Sequence, residues 1–130
     1  MEREALRIEV AYKRATGTVV HLCDGPYVTI DGERLDVPEG SKRLLAFVAL
    51  RHRHLERRYA SGVLWPLGDD HRAAGNLRSA LWRLRGAGID IMSSDKWSLS
   101  LRDGVEVDAM LMLDWSDRII SNTAEPSDLA

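Results

Sequence analysis

The chain has 130 residues, a formal net charge of −2 and a single cysteine. This length suits about one domain with one core, and a lone cysteine excludes an internal disulfide. The longest purely apolar run, Leu44 to Leu50, falls far short of the roughly 20 residues a membrane helix needs.

Residues 1–17 read as an N-terminal extension in which Leu6, Ile8 and Val10 alternate with charged residues, a short-strand pattern. From Thr18 to Val37 the pattern is β. Val19 to Cys23, Tyr27 to Ile30 and Arg34 to Val37 are separated by Asp24-Gly25 and Asp31-Gly32, pairs that supply the positive φ angles of tight hairpins. Cys23 is expected to be a small buried hydrophobe. Pro38 to Gly40 breaks the run, and Ser41 is a plausible N-cap for a helix over Lys42 to His52. That helix is apolar nearly all round from Leu44 to Leu50, which predicts burial beneath the sheet.

Leu55, Tyr59, Ala60, Val63 and Leu64 recur at helical spacing, predicting a second, shorter helix of about two turns. Trp65-Pro66-Leu67-Gly68 ends it. Asp69 or Asp70 then caps a third helix that runs to Gly86 or Gly88. Ala73, Leu77, Ala80 and Leu84 form its apolar stripe; Arg72, Gly75, Asn76, Ser79 and Arg83 lie opposite, Trp82 flanks that face, and Arg78 and Arg85 lie between. Ile89 to Met92 and Trp97 to Leu101 alternate around Ser93 to Lys96 as a hairpin. Val105 to Val107 is brief and extended. Asp108 caps a last helix, assigned to 108–121, and 122–130 is a flexible tail.

The charge is unevenly spread. Residues 1–41 carry net −3 and residues 86–130 net −6, whereas 42–85 hold ten basic and three acidic side chains, net +7. A basic middle is the footprint of a polyanion partner, although solvated helices can show the same charge. Helix, turn, long basic helix and hairpin is the order of a winged helix-turn-helix, which places its second helix in the DNA major groove. Arginine matches guanine and asparagine matches adenine there, so Arg72, Asn76, Ser79 and Arg83 are the candidate base readers. Gly75 would let the backbone approach closely. Arg57 and Arg58, at the start of the preceding helix, are candidate phosphate contacts, and Lys96 marks the hairpin tip. Trp65, Trp97 and Trp115 are assigned to packing.

Enzyme readings lack parts. His21, His52, His54 and His71 have no metal-ligand spacing with one another or with Cys23, no glycine-rich phosphate loop is present, and Asp69-Asp70 is better explained as a cap. No catalytic residue, metal or cofactor is expected. A protein-interaction adaptor that does not read DNA is the alternative, favoured by the acidic 86–130 segment; RNA binding is more remote because no aromatic platform is evident.

Leu44 to Leu50, Val63-Leu64-Trp65-Pro66 and Asn76-Leu77-Arg78-Ser79-Ala80-Leu81-Trp82-Arg83-Leu84-Arg85, with the Asp31-Gly32 hairpin before them and Ser94 to Leu101 after, resemble the DNA-binding domain of the Streptomyces antibiotic regulatory protein family. The likeness covers roughly Thr18 to Asp108. It implies an α+β fold over 18–107 of the OmpR-type winged-helix kind: N-terminal antiparallel sheet, three helices and a hairpin wing, with the 108–121 helix as an addition. It also implies a transcriptional activator that binds direct repeats in double-stranded DNA near promoters, with a homodimer possible on the repeats; a cytoplasmic location is expected instead from the lone cysteine and the lack of an early basic-then-apolar run. Such activators contact RNA polymerase holoenzyme, here through the loop of Trp65, Leu67 and Asp69. Arg72, Asn76, Ser79 and Arg83 would read the major groove, Arg57, Arg58 and Arg78 would hold phosphate, and Lys96 would mark the wing. The family's helical activation domain is largely missing from this chain.

Overall fold

The computed structural model describes residues 17–51, 54–110, 116–117 and 120. The strand expected around Leu6 to Val10, His52 at the end of the first helix, Trp115 with most of the 108–121 helix, and the tail lie outside them. No helix among the described residues is long and apolar enough to cross a membrane.

The fold is mixed α+β. Strands β1 (Thr18–His21), β2 (Tyr27–Ile30) and β3 (Glu33–Asp36) form an antiparallel meander. Asp31 (φ 49°) and Gly32 (φ 85°) make the predicted two-residue turn between β2 and β3, the left-handed pair such a hairpin requires. The Asp31 carboxylate accepts the Gly17 N–H at 2.9 Å, and the Asp31 N–H returns a bond to the Gly17 carbonyl. The Asp24-Gly25 turn is not formed. His21 pairs with Tyr27, leaving 22–26 as a five-residue loop. A two-residue turn would have made Pro26 the closing partner, and proline has no N–H to donate. Cys23 lies in this loop, past the end of β1, and is exposed rather than buried.

A 3-10 turn (Glu39–Ser41) leads into α1 (Lys42–Arg51). Ser41 is not the helix cap expected of it. It is fully buried, and its hydroxyl donates 2.7 Å to the Ala80 carbonyl of a later helix. Leu44, Leu45, Phe47, Val48 and Ala49 bury as the apolar run predicts; Leu50 stays half exposed. Leu55 and Glu56 form a short strand, β4, rather than the start of the second helix, because they pair with Leu99 and Ser98. Helix α2 (Arg57–Leu64) follows, then α3 (Asp70–Gly86). Asp69 caps α3, accepting the Arg72 N–H at 2.8 Å. Gly88 (φ 82°) ends it, with Ile89 N–H bonded to the Leu84 carbonyl and Gly88 N–H to that of Arg85, the two bonds of a Schellman cap.

The hairpin β5 (Met92–Ser94) and β6 (Ser98–Leu101) joins β4 in a three-stranded sheet of order β4-β6-β5. Strand β7 (Glu106–Val107) then returns to the first sheet and lies parallel to β1, giving β3-β2-β1-β7. A continuous core connects Val20, Val28 and Val107 of that sheet with Leu45 and Val48 of α1, Ala60 and Leu64 of α2, Leu77, Ala80 and Leu84 of α3, and Leu99 of β6. Two sheets are thus fixed to one side of the α2–α3 pair, leaving the other side of α3 to solvent.

Asp108 does not play the predicted part of helix cap. It lies within a helical turn at 108–110, and its buried carboxylate accepts the Leu22 and Cys23 N–H groups at 2.8 and 3.2 Å. Beside it His21 is buried. Its Nε2 is 2.9 Å from the Thr29 hydroxyl, its ring stacks on Tyr27 at 4.3 Å, and its Nδ1 is 3.9 Å from Asp108. Burial lowers the His21 pKa from its ordinary 6.5, Asp108 opposes this, and Arg34 adds to it. The unfolded chain therefore binds the proton more readily. The stability contributed by neutral His21 is complete above about pH 6.5 and is lost as pH falls through the lower folded value. Urea midpoints should decline over that interval, and His21→Phe should flatten the decline.

Candidate nucleic-acid interface

The sequence of α3 dictates its two faces. Ala73, Leu77, Ala80, Leu81 and Leu84 are buried, and Arg72, Arg78, Ser79, Trp82, Arg83 and Arg85 are exposed. Winding α3 at about 100° per residue puts Gly75, Ser79, Trp82 and Gly86 along the line directly opposite the buried stripe. Trp82, which the sequence pattern sets at the edge, therefore stands on the centre of the outward ridge, 74 % exposed. Asn76 is rotated toward the flank and is half-buried.

The four arginines differ in setting. Arg72 lies with its aliphatic stem against Gly68, where a Cβ would come within 3.0 Å of the Arg72 Cδ; Gly68 also has a positive φ of 102°. The guanidinium of Arg83 lies over Gly40 in the turn before α1, so it faces the N-terminal sheet side of the ridge. Arg78 reaches back toward Gly75, its Nη2 at 3.7 Å from a Cβ built there. Among the described residues none of Arg72, Arg78, Arg83 and Arg85 is held in an ion pair.

The start of α2 and the hairpin tip adjoin the α3 N-terminus. Arg57 is half-buried: its Nη1 donates to the Ser94 hydroxyl at 3.0 Å and the Asp95 carbonyl at 3.2 Å, while its N–H bonds the Trp97 carbonyl. Arg57 thus fastens α2 to the hairpin. Arg58 reaches Asp70 at 3.1 Å across a surface where both are exposed, a pairing that contributes little in water. Asp95 orders the tip, accepting the N–H groups of Trp97 and Ser98, each at 2.7 Å. Those bonds from Ser98 and Trp97 hold its carboxyl below the usual range. Lys96 projects from this turn with its Nζ 5.2 Å from the Trp97 ring centre.

Trp97 departs from the packing role assigned to it. It is 74 % exposed, because the Asp95 turn ends just before β6 and leaves the indole at the rim. The signal available in the sequence was its place beside Asp95-Lys96 at a hairpin tip. Arg57, Arg58, Ser61, His71, Ala74 and Trp97 line a groove of about 620 Å³ between α2, α3 and the hairpin. In the loop before α3, Trp65 packs on the core, Asp69 is engaged as the cap and Leu67 is almost fully exposed.

The structure therefore brings Arg72, Ser79 and Arg78 onto one open surface with Arg58 and Lys96 near its N-terminal end. Arg57 supports that surface, and Asn76 and Arg83 border it. Among the described residues no group of His, Cys, Asp or Glu could hold a metal ion. No protein-family model, curated protein or solved structure matches the chain.

Proposed function

We propose that the chain is a sequence-specific double-stranded DNA-binding transcriptional regulator of the winged helix-turn-helix class, without catalytic activity. Helix α3 enters the major groove, α2 crosses the backbone, and the β5–β6 hairpin is the wing. The observation that carries this reading is the outward side of α3. It holds four exposed arginines that form no ion pair among the described residues, and the only acidic side chain of the helix, Asp70, lies in its first turn. A one-signed surface of this kind suits a polyanion partner.

The family resemblance extends the proposal. On that resemblance the protein would act as an activator at direct repeats, with a homodimer possible there, and the exposed Leu67 of the Trp65–Asp69 loop would face RNA polymerase holoenzyme. A second reading, an adaptor that binds protein alone, is favoured by the exposed Leu50, Tyr59 and Val63 of α1 and α2.

Fluorescence anisotropy on labelled duplexes across a salt series separates them. Arg78→Ala should weaken all duplexes alike and reduce the salt slope by about one. Arg72→Ala and Asn76→Ala should cost roughly 1–3 kcal/mol at particular base pairs. Absence of duplex binding at low salt would favour the adaptor.

A further inference from the structure

Two residues of α3 are not explained by the fold. Gly75 lies in the helix interior with ordinary helical backbone, and a Cβ there would meet nothing closer than the tip of Arg78 at 3.7 Å. Neither packing nor a turn demands glycine, the poorest helix former apart from proline. Two turns on, Trp82 is a large apolar side chain left in water at the centre of the same ridge. The ridge runs Gly75, Ser79, Trp82, Gly86 at spacings of four, three and four, and a Cβ at Gly86 would also meet open space. An indole thus rises between small residues and is bordered by Arg78 and Arg85, four residues before it and three after. That charge selects a polyanion as the occupant rather than an apolar protein surface.

Resting on the DNA-binding reading above, we propose that Trp82 is a specificity-determining residue whose indole contacts the C5-methyl of a thymine, while Gly75 lets the duplex approach the helix axis. The methyl is the one apolar group that base edges present in the major groove. Gly75 and Trp82 are separated by about 10 Å along the helix, the rise of about three base pairs. Close approach at Gly75 and methyl contact at Trp82 therefore fall about three base pairs apart within one site.

The test uses the full chain and a duplex selected by the wild-type protein from a random pool. Each thymine in turn is replaced by deoxyuridine, which removes only the methyl. At one or two positions wild-type affinity should fall about fourfold, the scale of one buried methyl. Trp82→Ala should bind on the order of tenfold more weakly and show no further loss with deoxyuridine; Trp82→Phe should keep the sensitivity. Gly75→Ala should melt higher than wild type yet bind roughly tenfold more weakly, a combination that a purely structural glycine does not give. The proposal is overturned if deoxyuridine is neutral everywhere, if Trp82→Ala still loses affinity on methyl removal, or if both alanine variants bind like wild type. Should Arg72→Ala lose binding in that last case, the DNA-binding reading stands and Trp82 serves a protein contact. A wild-type protein that enriches no sequence overturns both.

Discussion

Leu77→Ala should destabilise the fold by about 3 kcal/mol, within the 2–5 kcal/mol typical of such truncations. Leu77 is 1 % exposed in the middle of the α3 stripe, in the same core cluster as Ala60 and Leu64 of α2 and Leu99 of β6. Its loss opens a cavity where three elements meet, and a helix anchored at both ends relaxes little into it. Against a total stability of roughly 5–15 kcal/mol for a domain, this is a large share. Urea unfolding checks the magnitude. Leu77→Met, which conserves volume, should cost less than about 1.5 kcal/mol. Leu77 also lines the groove shared with Trp97; on the proposed DNA-binding reading, Leu77→Ala should weaken duplex binding even where the protein remains folded.

Asp108→Ala is expected to cost about 2–3 kcal/mol. The carboxylate is buried, and two backbone N–H groups at the end of β1 depend on it. Hydrogen bonds to a charged group contribute about 1.5–3 kcal/mol, and a donor left unsatisfied carries its own penalty. Asp108 follows directly on β7, the two-residue strand that pairs with β1, so the loss should loosen the parallel edge of the sheet. Asp108→Asn keeps an acceptor and should recover part of the difference. Cys23 supplies a local readout. Partial burial, and then the Asp108 charge and hydrogen bond, push its thiol pKa up. Asp108→Ala should therefore raise the rate at which Cys23 is alkylated near neutral pH. An unchanged rate with unchanged stability would contradict the role of Asp108 in holding the Leu22 and Cys23 N–H groups.

What the sequence makes legible is what local rules control. The stripe of Ala73, Leu77, Ala80 and Leu84 has the helical period, Asp69 has the chemistry of a cap, and Asp31-Gly32 has the conformational freedom of a tight turn. What it conceals depends on distant partners. Leu55 is a strand only because Leu99 lies opposite. Glu106 and Val107 join the first sheet only by parallel pairing with Val19 and Val20. Ser41 and Asp108 resemble caps locally, yet their bonds go to Ala80 and to Leu22 and Cys23.

The same division holds at the candidate interface. Residue types identify a basic helix face, but the directions of its side chains are set elsewhere. Arg57 is drawn to Ser94 and Asp95 of the hairpin, and Arg83 to the turn at Gly40. Trp97 is carried to the surface by the Asp95 turn. Winding the helix about the stripe of Ala73, Leu77, Ala80 and Leu84 already sets Trp82 almost directly opposite its middle, so the indole's place on the outward ridge follows from the helical period alone.

On the proposed reading the exposed side of α3 binds duplex DNA. The most direct test is the affinity of the wild-type chain for a selected and a random duplex, measured by anisotropy from low to moderate salt. Four exposed arginines on α3, with Arg58 and Lys96 beside them, predict a log–log salt slope of about −5. The selected duplex should bind at least about a thousandfold more tightly than the random one. No binding at the lowest salt, or binding that salt does not weaken, would contradict the account.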